Sequence, residues 1–449
     1  MSRAQGAAFA LLLAGFTAVS LLAAVPYPDN QDGVNFILGV ERFELAEHRP
    51  HFPGYPVYVA LGKVVSSAGL SAEWALVIVG VVSTLAAAGA LYLLAAPRAG
   101  PMGALALTAA FLFIPPVFSF SHKIFSEPLG LALLLAAFAA APESGGARTR
   151  FMISGALAGL LMGARLSWWP FALALGALSF TRGAAGACAA GAAAGAGLWC
   201  VPLLALTGGE ELARIAFSFT EGHFNEWGGA PGALSAPEGR GAVFAANLAH
   251  TLGANPSSLP GLMWIGTFAA ALAAWKPRAP RGRAAWFAGA AIIYLVWLYA
   301  GQNVGNARHF LPVIPAALLT LASFAARFPA LAAAGALSLA VSLGPALDSG
   351  APPAERLRRW LDAAPPDTEL MCGATERYFD RYPSRARVRH VAYGQAMPLE
   401  AGGRLHTPRL TLVCDDIPGY TPAGPLRAVF LPRPGDPVDL ELRVYDLGD

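Results

Sequence analysis

The residues best suited to chemistry in this sequence are carboxylates in the loop that follows its first apolar segment. Asp29 and Asp32 come soon after the apolar run 7–25, and Glu41 lies further along the same loop. A carboxylate held within hydrogen-bond reach of a hydroxyl group can take its proton as a general base. Asp32 also precedes a helical pattern and can cap its first turn, and capping and catalysis are compatible roles.

A stiff aromatic segment, HRPHFPGYP, occupies residues 48–56 of the same loop. Its prolines fix the backbone φ angle and restrict the residues before them to extended conformations. Such a segment can hold a neighbouring acid in place without an ordering cost. We therefore take His51 and Tyr55 as candidate substrate-binding residues; the alternative is a plain connector.

Between the acids and the prolines, residues 33–47 predict an amphipathic helix. Its apolar stripe, at the spacing of a helix, consists of Val34, Ile37, Leu38 and Leu45. We expect this helix to lie along the membrane surface. Glu41 falls within the apolar stripe, which is unusual for a simple surface helix and makes it a further candidate binding residue.

Two polar islands between apolar segments add candidates. FSFSHKIFSEPLG, at 118–130, contains His122, Lys123 and Glu127. Its Ser-Glu-Pro run is also a good helix N-terminus, which is the structural alternative for Glu127. The second island, GQNVGNARHFLP, contains Arg308 and His309, for which an interfacial anchor is the alternative.

Arg165 interrupts two apolar runs in MGARLSWWP. A charge at membrane depth costs on the order of 3 kcal/mol on insertion scales, so it usually faces a cavity or a partner. The alternative is that Arg165 snorkels to the interface, with Trp168 and Trp169 as interfacial belt residues.

The segment FSFTEGHFNEWGG, at 217–229, is dense in hydrogen-bonding and aromatic groups, the mixture found in carbohydrate sites. His223 and Glu226 are its candidate binding residues. Together they could also ligate a divalent metal ion as a cofactor, although two ligands at this spacing do not define a metal site. An ordinary interfacial loop is the alternative.

The elements that must position these residues are membrane-spanning helices. The chain of 449 residues is 55% hydrophobic and only 13% charged, whereas soluble domains carry about 25% charged residues. A net charge of +3, without a basic stripe interleaved with aromatic residues, excludes nucleic acid as a partner. We predict a polytopic α-helical membrane protein with about eleven spans, at 7–25, 73–96, 101–117, 125–142, 151–165, 168–181, 184–206, 258–275, 284–300, 311–326 and 329–346.

The positive-inside rule orients these spans with the N-terminus in the cytoplasm. The basic loops then lie inside, and KPRAPRGR at 276–283 is their strongest member. The loops on the outer side are then 26–72, 118–124, 166–167, 207–257, 301–310 and the tail from about residue 347. The candidate residues fall in these loops, except Glu127 and Arg165, which lie at the outer ends of predicted spans.

Residues 350–449 predict a small extracytoplasmic α/β domain that follows the membrane part, 1–346. A helix at 354–364 precedes five strand-like runs, TELMCGA, RVRHVAYG, RLTLVCDD, RAVFLPR and DLELRVYDL. Cys372 and Cys414 lie in this domain and can pair in an oxidising compartment. Two unpaired, buried thiols are the alternative.

The first loop resembles that of a known family. An acidic turn, an amphipathic helix and Pro-His-Phe-Pro-Gly-Tyr-Pro leading into VYVALGK are similar to the first periplasmic loop of GT-C fold glycosyltransferases. The similarity is greatest to the branch related to protein O-mannosyltransferases, which carries a PHPPGYP-like segment. Here Phe52 replaces the first proline of that pair. The resemblance is motif-level at 29–63 and architectural over the rest of 1–346.

The resemblance implies a hexosyl- or pentosyltransferase of the bacterial inner membrane. It would move a sugar from a polyprenyl-phosphate donor to an extracytoplasmic lipid, glycan or protein acceptor, with inversion. An acid of the first loop is the general base in this family, and the matching position is Asp32, with Asp29 second. The resemblance also implies that Glu127 contacts acceptor or metal, that Arg165 pairs with the donor phosphate and that Arg308 stabilises the leaving phosphate.

Other function classes remain as alternatives. A transporter or flippase of a lipid-linked sugar typically has broken helices in matching halves, and the sequence offers one such pair, 151–165 with 168–181, without a second. A polysaccharide polymerase or ligase uses the same donors with different loops. Loss of Asp29, Asp32 and Arg308 would favour a non-catalytic envelope-assembly subunit, and all three are present.

Overall fold

The computed structural model describes residues 2–225, 229, 239–274, 282–347, 350–365, 367–391, 410–416, 424–433 and 441–446. These residues are mostly helical, and the C-terminal part adds one five-stranded sheet. The helices that precede the sheet are α1 (Arg3–Ala23), α2 (Gln31–Glu41), α3 (Pro56–Ser66), α4 (Ala72–Phe113), α5 (Pro115–Ser121), α6 (Glu127–Ala140), α7 (Arg148–Ala164), α8 (Trp169–Thr181), α9 (Ala185–Thr207), α10 (Gly209–Asn225), α11 (Arg240–Thr251), α12 (Leu259–Ala273), α13 (Arg283–Gly301), α14 (Val313–Thr320), α15 (Ala322–Arg327) and α16 (Pro329–Ser342).

Each predicted span overlaps an apolar helix, but the spans are not all separate or continuous. Among the described residues, α1, α4, α9 and α13 are long and apolar enough to cross a membrane, while several apolar helices are shorter. The number of eleven spans therefore stays a prediction. Two predicted spans are joined in α4, which bends at Gly100, a glycine with positive φ between Pro97 and Pro101.

The Ala/Gly run of α9 packs closely against α7. A Cβ atom added to Gly191 would lie 1.9 Å from the Met152 carbonyl oxygen, and one added to Gly155 would lie 2.0 Å from that of Cys188. Only glycine allows the two backbones to approach this closely. This contact fixes α7, whose end carries Arg165.

Basic side chains cluster where α6 ends. Arg283 donates hydrogen bonds to the carbonyl oxygens of Ala139 and Ala141, and its Nε atom lies 3.1 Å from Glu143. Arg150 donates to the carbonyl oxygen of Ala140. Cations at this position neutralise the exposed carbonyl groups of a helix C-terminus. The loops predicted to face the cytoplasm thus meet at one end of α6, and the loops with most of the candidate residues meet at its other end.

The tail forms the sheet in the way its sequence predicts. Each strand-like run contains one strand, and the elements are α17 (Pro353–Asp362), β1 (Thr368–Cys372), α18 (Glu376–Arg381), β2 (Arg387–His390), β3 (Leu410–Cys414), β4 (Leu426–Phe430) and β5 (Leu442–Asp446). The strand order is β2-β1-β3-β5-β4, with β1 parallel to both neighbours and β5 antiparallel to both of its own. Cys372 and Cys414 are free, buried thiols on neighbouring strands. The domain boundaries 1–346 and 350–449 stay predictions.

The first-loop helix differs from its prediction in length and in surroundings. The helix expected over 33–47 ends at Glu41, because the backbone of Glu44 then pairs with that of Arg49. Its apolar stripe is covered by protein rather than by lipid, and its position along the membrane surface stays a prediction. Residues 33–40 are buried in protein: Val34 and Leu38 pack into the core of the sheet domain, and the opposite side of α2 packs against α3 and α4.

Three of the described helices in the membrane part were absent from the sequence prediction. They are α3, α10 and α11, and all lie in the predicted outer loops. Each is short or amphipathic, so a search for long apolar runs passes over it. Two of them matter for the site, because α3 supports α2 and α10 forms one wall of the cavity described below.

Candidate active site

A cavity of about 640 Å³ lies where the predicted outer loops converge. Its walls come from the first loop, from the turn at 165–169, from α10, from the end of α13 and from the loop 302–309. Residues far apart in sequence thus share one pocket, on the side of the bundle that carries the sheet domain. The convergence agrees with the prediction that these loops lie on one face.

Asp32 enters this cavity because another residue caps its helix. Asn30 is the N-cap of α2, and its Oδ1 atom accepts a hydrogen bond from the backbone N–H of Gly33 at 3.0 Å. The capping role considered for Asp32 is therefore filled, and the Asp32 side chain, in the first turn of α2, lines the cavity.

Asp32 is ion-paired with a cation from a distant loop. Its Oδ2 atom lies 2.5 Å from Nη2 of Arg308, and its Oδ1 atom lies 3.6 Å from Nε2 of His51. Burial alone would raise the pKa of Asp32, but the charge of Arg308 and smaller contributions from His51 and Arg165 hold it well below its usual range. The carboxylate is therefore ionised at neutral pH. Burial lowers the pKa of His51 more than Asp32 raises it, so this imidazole is neutral at neutral pH.

A second carboxylate lies behind the first pair. Glu127, at the start of α6, is fully buried, and its Oε1 atom lies 3.0 Å from Nη1 of Arg165 and 3.6 Å from Nε of Arg308. Arg308 therefore stands between two carboxylates, and Arg165 pairs with the inner one. Because a buried ion without a partner loses several kcal/mol of solvation, each of these four groups depends on the others.

Arg165 is held at the cavity wall by aromatic rings. Its guanidinium lies 5.7 Å from the ring centroid of Tyr55 and 5.8 Å from that of Trp168. It also donates to Oγ of Ser126 at 3.4 Å. Arg165 is buried and lines the cavity, so the snorkelling alternative is wrong.

Imidazole and aromatic side chains form another part of the wall. The His51 ring stacks on Phe219 of α10 at 6.2 Å between centroids, which joins the first loop to that helix. Nε2 of His223 lies 3.0 Å from the carbonyl oxygen of Gly301, and Nδ1 of His309 lies 3.1 Å from that of Asn303. Burial holds the pKa of His309 well below its usual range, so this ring is neutral.

The structure separates the candidate residues into two groups. Those that line the cavity are Asp32, His51, Tyr55, Arg165, His223, Arg308 and His309. Those that lie elsewhere are Asp29, Glu41, His122, Lys123 and Glu127. Glu226 falls outside the described residues. Both groups come from the predicted outer loops and the adjacent ends of spans, so sequence position alone does not separate them.

The candidate residues that do not line the cavity have partners elsewhere in the protein. Asp29 is 1% exposed, 3.4 Å from Nζ of Lys123, and ion-paired with Arg433 of the sheet domain. Glu41 pairs with Arg381 of α18 at 2.9 Å, which explains an acid within an apolar stripe. His122 is buried, with its ring against that of Phe118.

Glu127 also differs from its expected role. Contact with an acceptor or a metal requires access to the cavity, and Glu127 has none. Its position between Arg165 and Arg308 makes it their buried counter-ion.

Sequence reasoning missed several residues of the wall. They are Gln31, Asn35, His48, Phe219, Trp297 and Gln302. One signal was available: Asp32 and Asn35 are three apart on α2 and therefore share a face of the helix. The others are brought to the cavity by tertiary packing that no local pattern indicates.

A divalent metal ion is one cofactor that the sequence allows, and the described residues contain no cluster of side chains that would bind one. Within the described residues, no group of three or more His, Cys, Asp or Glu side chains is close enough to hold a metal ion. His223 lines the cavity, while Glu226, its expected partner, lies outside the described residues.

We predict that Arg165→Met destabilises the protein through Glu127. Removing one partner of a buried ion pair leaves an uncompensated charge and typically costs about 3–5 kcal/mol. Thermal unfolding in detergent should therefore show a lower midpoint for Arg165→Met. The loss in the double variant Arg165→Met/Glu127→Gln should be smaller than the sum of the two single losses.

A matched control is Arg214→Met, which breaks an exposed pair with Glu211. Exposed pairs contribute about 0–1 kcal/mol, so its midpoint should stay close to that of the unmodified protein. Additive losses in the double variant would show that Arg165 and Glu127 are not coupled.

Comparison with known proteins establishes the fold. No protein-family model and no curated protein matches the sequence. Among solved structures, the chain is similar to ArnT from Cupriavidus metallidurans bound to undecaprenyl phosphate, with a TM-score of 0.62 and 14% identity over 100% of this chain and 99% of that one. It is also similar to the apo state of the same ArnT, with a TM-score of 0.53 and 14% identity over 98% and 97% of the two chains. The chain thus shares the fold of this ArnT, the GT-C fold that the resemblance of its first loop predicted.

Proposed function

We propose that this protein is an integral membrane glycosyltransferase that moves a sugar from a polyprenyl-phosphate donor to an extracytoplasmic acceptor, with inversion. The observation that carries the proposal is the pairing of Asp32 with Arg308 in the cavity wall. It brings a carboxylate base and a phosphate-binding cation into one site. The similarity over the full chain to a structure bound to undecaprenyl phosphate supports this donor class.

In the proposed reaction Asp32 takes the proton of an acceptor hydroxyl group as its oxygen attacks the anomeric carbon. The bond between the anomeric carbon and the phosphate oxygen breaks, and the phosphate leaves on the polyprenyl chain. Arg308 and Arg165, both in the cavity wall, stabilise the charge that develops on that phosphate. The planar guanidinium of Arg308 can donate two hydrogen bonds to one phosphate, a geometry that the ammonium group of a lysine does not offer.

The same contact couples donor binding to the base. In the described structure Arg308 lowers the pKa of Asp32, which makes this carboxylate a weak proton acceptor. A donor phosphate competes for Arg308 and weakens its pairing with Asp32. The pKa of Asp32 then rises toward its ordinary value, and Asp32 becomes a stronger base when the donor is present.

Inversion is supported by the number of carboxylates in the wall. Among the described residues, Asp32 is the one acidic side chain that lines the cavity, since Glu127 is fully buried behind it. A single displacement needs one base, whereas retention through a covalent intermediate usually needs a second carboxylate at the reacting carbon.

An apolar groove offers a path for the donor's hydrocarbon chain. A groove of about 420 Å³ lies between α8 and α13, and Trp169 belongs both to its lining and to the cavity wall. The groove shares Ala177 and Trp286 with a second apolar groove, of about 700 Å³, against α7 and α9. A phosphate at Arg308 and Arg165 would therefore lead its chain past Trp169 and along α8.

The location that we propose is the bacterial inner membrane, with the N-terminus in the cytoplasm and the tail outside. The cluster of Arg150, Arg182 and Arg283 at the end of the bundle away from the cavity supports this orientation. The donor sugar belongs to the hexoses or pentoses, and the acceptor to lipids, glycans or proteins.

Asp32→Asn should abolish sugar transfer with little effect on folding, because it keeps the size of the side chain and removes the base. General-base catalysis contributes about 10²–10⁴-fold, so turnover should fall by at least about 100-fold. The measurement is sugar release from a panel of radiolabelled polyprenyl-phosphate donors in membranes that contain either protein.

Glu41→Gln is the matched control, since Glu41 lies on the same helix and pairs with Arg381 away from the cavity. It should retain most of the activity. Full activity of Asp32→Asn would exclude Asp32 as the base. Absence of turnover by the unmodified protein on every donor would contradict the proposal and favour a flippase or a non-catalytic envelope-assembly subunit.

Gly289→Trp tests the proposed path of the donor chain. Gly289 lines the groove between α8 and α13, and an added Cβ atom there meets no other group within 4 Å. Since each buried CH₂ contributes about 0.8 kcal/mol, blocking one isoprene unit should raise the KM of long-chain donors by at least about tenfold. Donors with two isoprene units should be nearly unaffected.

The control for this variant is Gly266→Trp in α12. An added Cβ atom at Gly266 also meets no other group within 4 Å, but Gly266 lines neither of the two apolar grooves. Its KM for long-chain donors should equal that of the unmodified protein. Equal effects of Gly289→Trp on long and short donors would place the chain elsewhere.

A further inference from the structure

One arginine of the sheet domain reaches the loop that carries Asp32. Arg377, on α18, donates from Nε to Oδ1 of Asn35 at 2.8 Å. Its Nη2 atom donates to the carbonyl oxygens of Glu47 at 2.9 Å and His48 at 3.3 Å. Asp380, one turn along α18, pairs with Nη1 of Arg377 and orients the guanidinium.

These contacts join the two segments whose side chains meet at the candidate base. Asn35 is buried one turn after Asp32 on α2, and both residues line the cavity. Because side chains three apart lie on the same face of a helix, holding Asn35 fixes the face that presents Asp32. His48 ends a short turn with a positive φ of 55°, and the chain then leads to His51, which faces Asp32.

The rest of α2 also depends on the sheet domain. Val34 and Leu38 belong to the apolar core of that domain. Arg433 pairs with Asp29 ahead of the helix, and Arg381 pairs with Glu41 at its end. A helix of eleven residues is marginal on its own, so α2 owes its order to this packing.

We propose that Arg377 is a positioning residue of the transferase reaction, and that the tail thereby completes the active site rather than lying beside it. This inference rests on the proposed function. Arg377 is not part of the cavity wall, so it acts through Asn35 and the turn at 47–48. Its planar fork reaches three acceptors on two segments, which an ammonium group on a lysine would not reproduce.

The test compares Arg377→Gln with Arg381→Gln in the full-length protein. Both arginines lie on α18 and contact the first loop, but Arg381 pairs with Glu41 and Glu73, neither of which lines the cavity. A displacement of about 1 Å in a reacting group can lower the rate by about 100-fold. We expect Arg377→Gln to lower kcat by about 10- to 100-fold with the KM of the donor within about threefold.

Arg381→Gln should change kcat by less than about threefold, and Arg377→Lys should recover part of the lost kcat. Binding of undecaprenyl phosphate, measured by native mass spectrometry, should be equal in all of these proteins. Equal losses of kcat in Arg377→Gln and Arg381→Gln would show a general structural effect and overturn the inference. Unchanged kcat in Arg377→Gln would overturn it as well.

Hydrogen exchange separates this inference from the proposed function. In Arg377→Gln, backbone amides of 31–41 and 45–51 should exchange faster, whereas Arg381→Gln should leave 45–51 unchanged. Unchanged exchange in Arg377→Gln overturns the positioning role of Arg377 whether or not the protein transfers sugar. Faster exchange together with no turnover by the unmodified protein on any donor contradicts the proposed function and, with it, the role of Arg377 in the transferase reaction.

Discussion

The structure depends on the pairing of charges that are buried between its loops. Arg308 stands between Asp32 and Glu127, and Arg165 pairs with Glu127. None of these ions is stable alone in a low-dielectric interior, and together they balance two positive and two negative charges. Because the four residues come from four separate segments, satisfying their charges decides which segments must meet. The same pairing that closes the cavity also brings into its wall the carboxylate and the guanidinium on which the proposed function rests.

The helices serve this pairing at both of their ends. At one end of α6 Glu127 enters the charge cluster, and at the other Arg283 neutralises the terminal carbonyl groups. Arg165 follows α7, whose position depends on the backbone contact with α9 at Gly155 and Gly191. The close packing of the membrane bundle therefore fixes the positions of Glu127 and Arg165. The first loop, which carries Asp32, is in turn held by the sheet domain through α2.

The sequence predicted features that local patterns encode. The apolar helices, the five strands of the tail and the stiff HRPHFPGYP segment all follow from spacing and composition. Asp32 and Arg308 stood out because they lie in polar loops between apolar segments. The roles of Asp29 and Glu41 did not follow, because their partners are remote. Asp29 pairs with Arg433, 404 residues away, and Asn35 is bound by Arg377, 342 residues away. The surroundings of α2 did not follow for the same reason: an apolar stripe does not show whether lipid or a distant domain covers it.

The most direct test of this account is a structure of the protein in a lipid nanodisc with undecaprenyl phosphate. The account predicts that the phosphate contacts Arg308 and Arg165, that Asp32 separates from Arg308, and that the hydrocarbon chain leaves the cavity past Trp169 between α8 and α13. A phosphate bound away from both arginines, with Asp32 and Arg308 still paired, would contradict it.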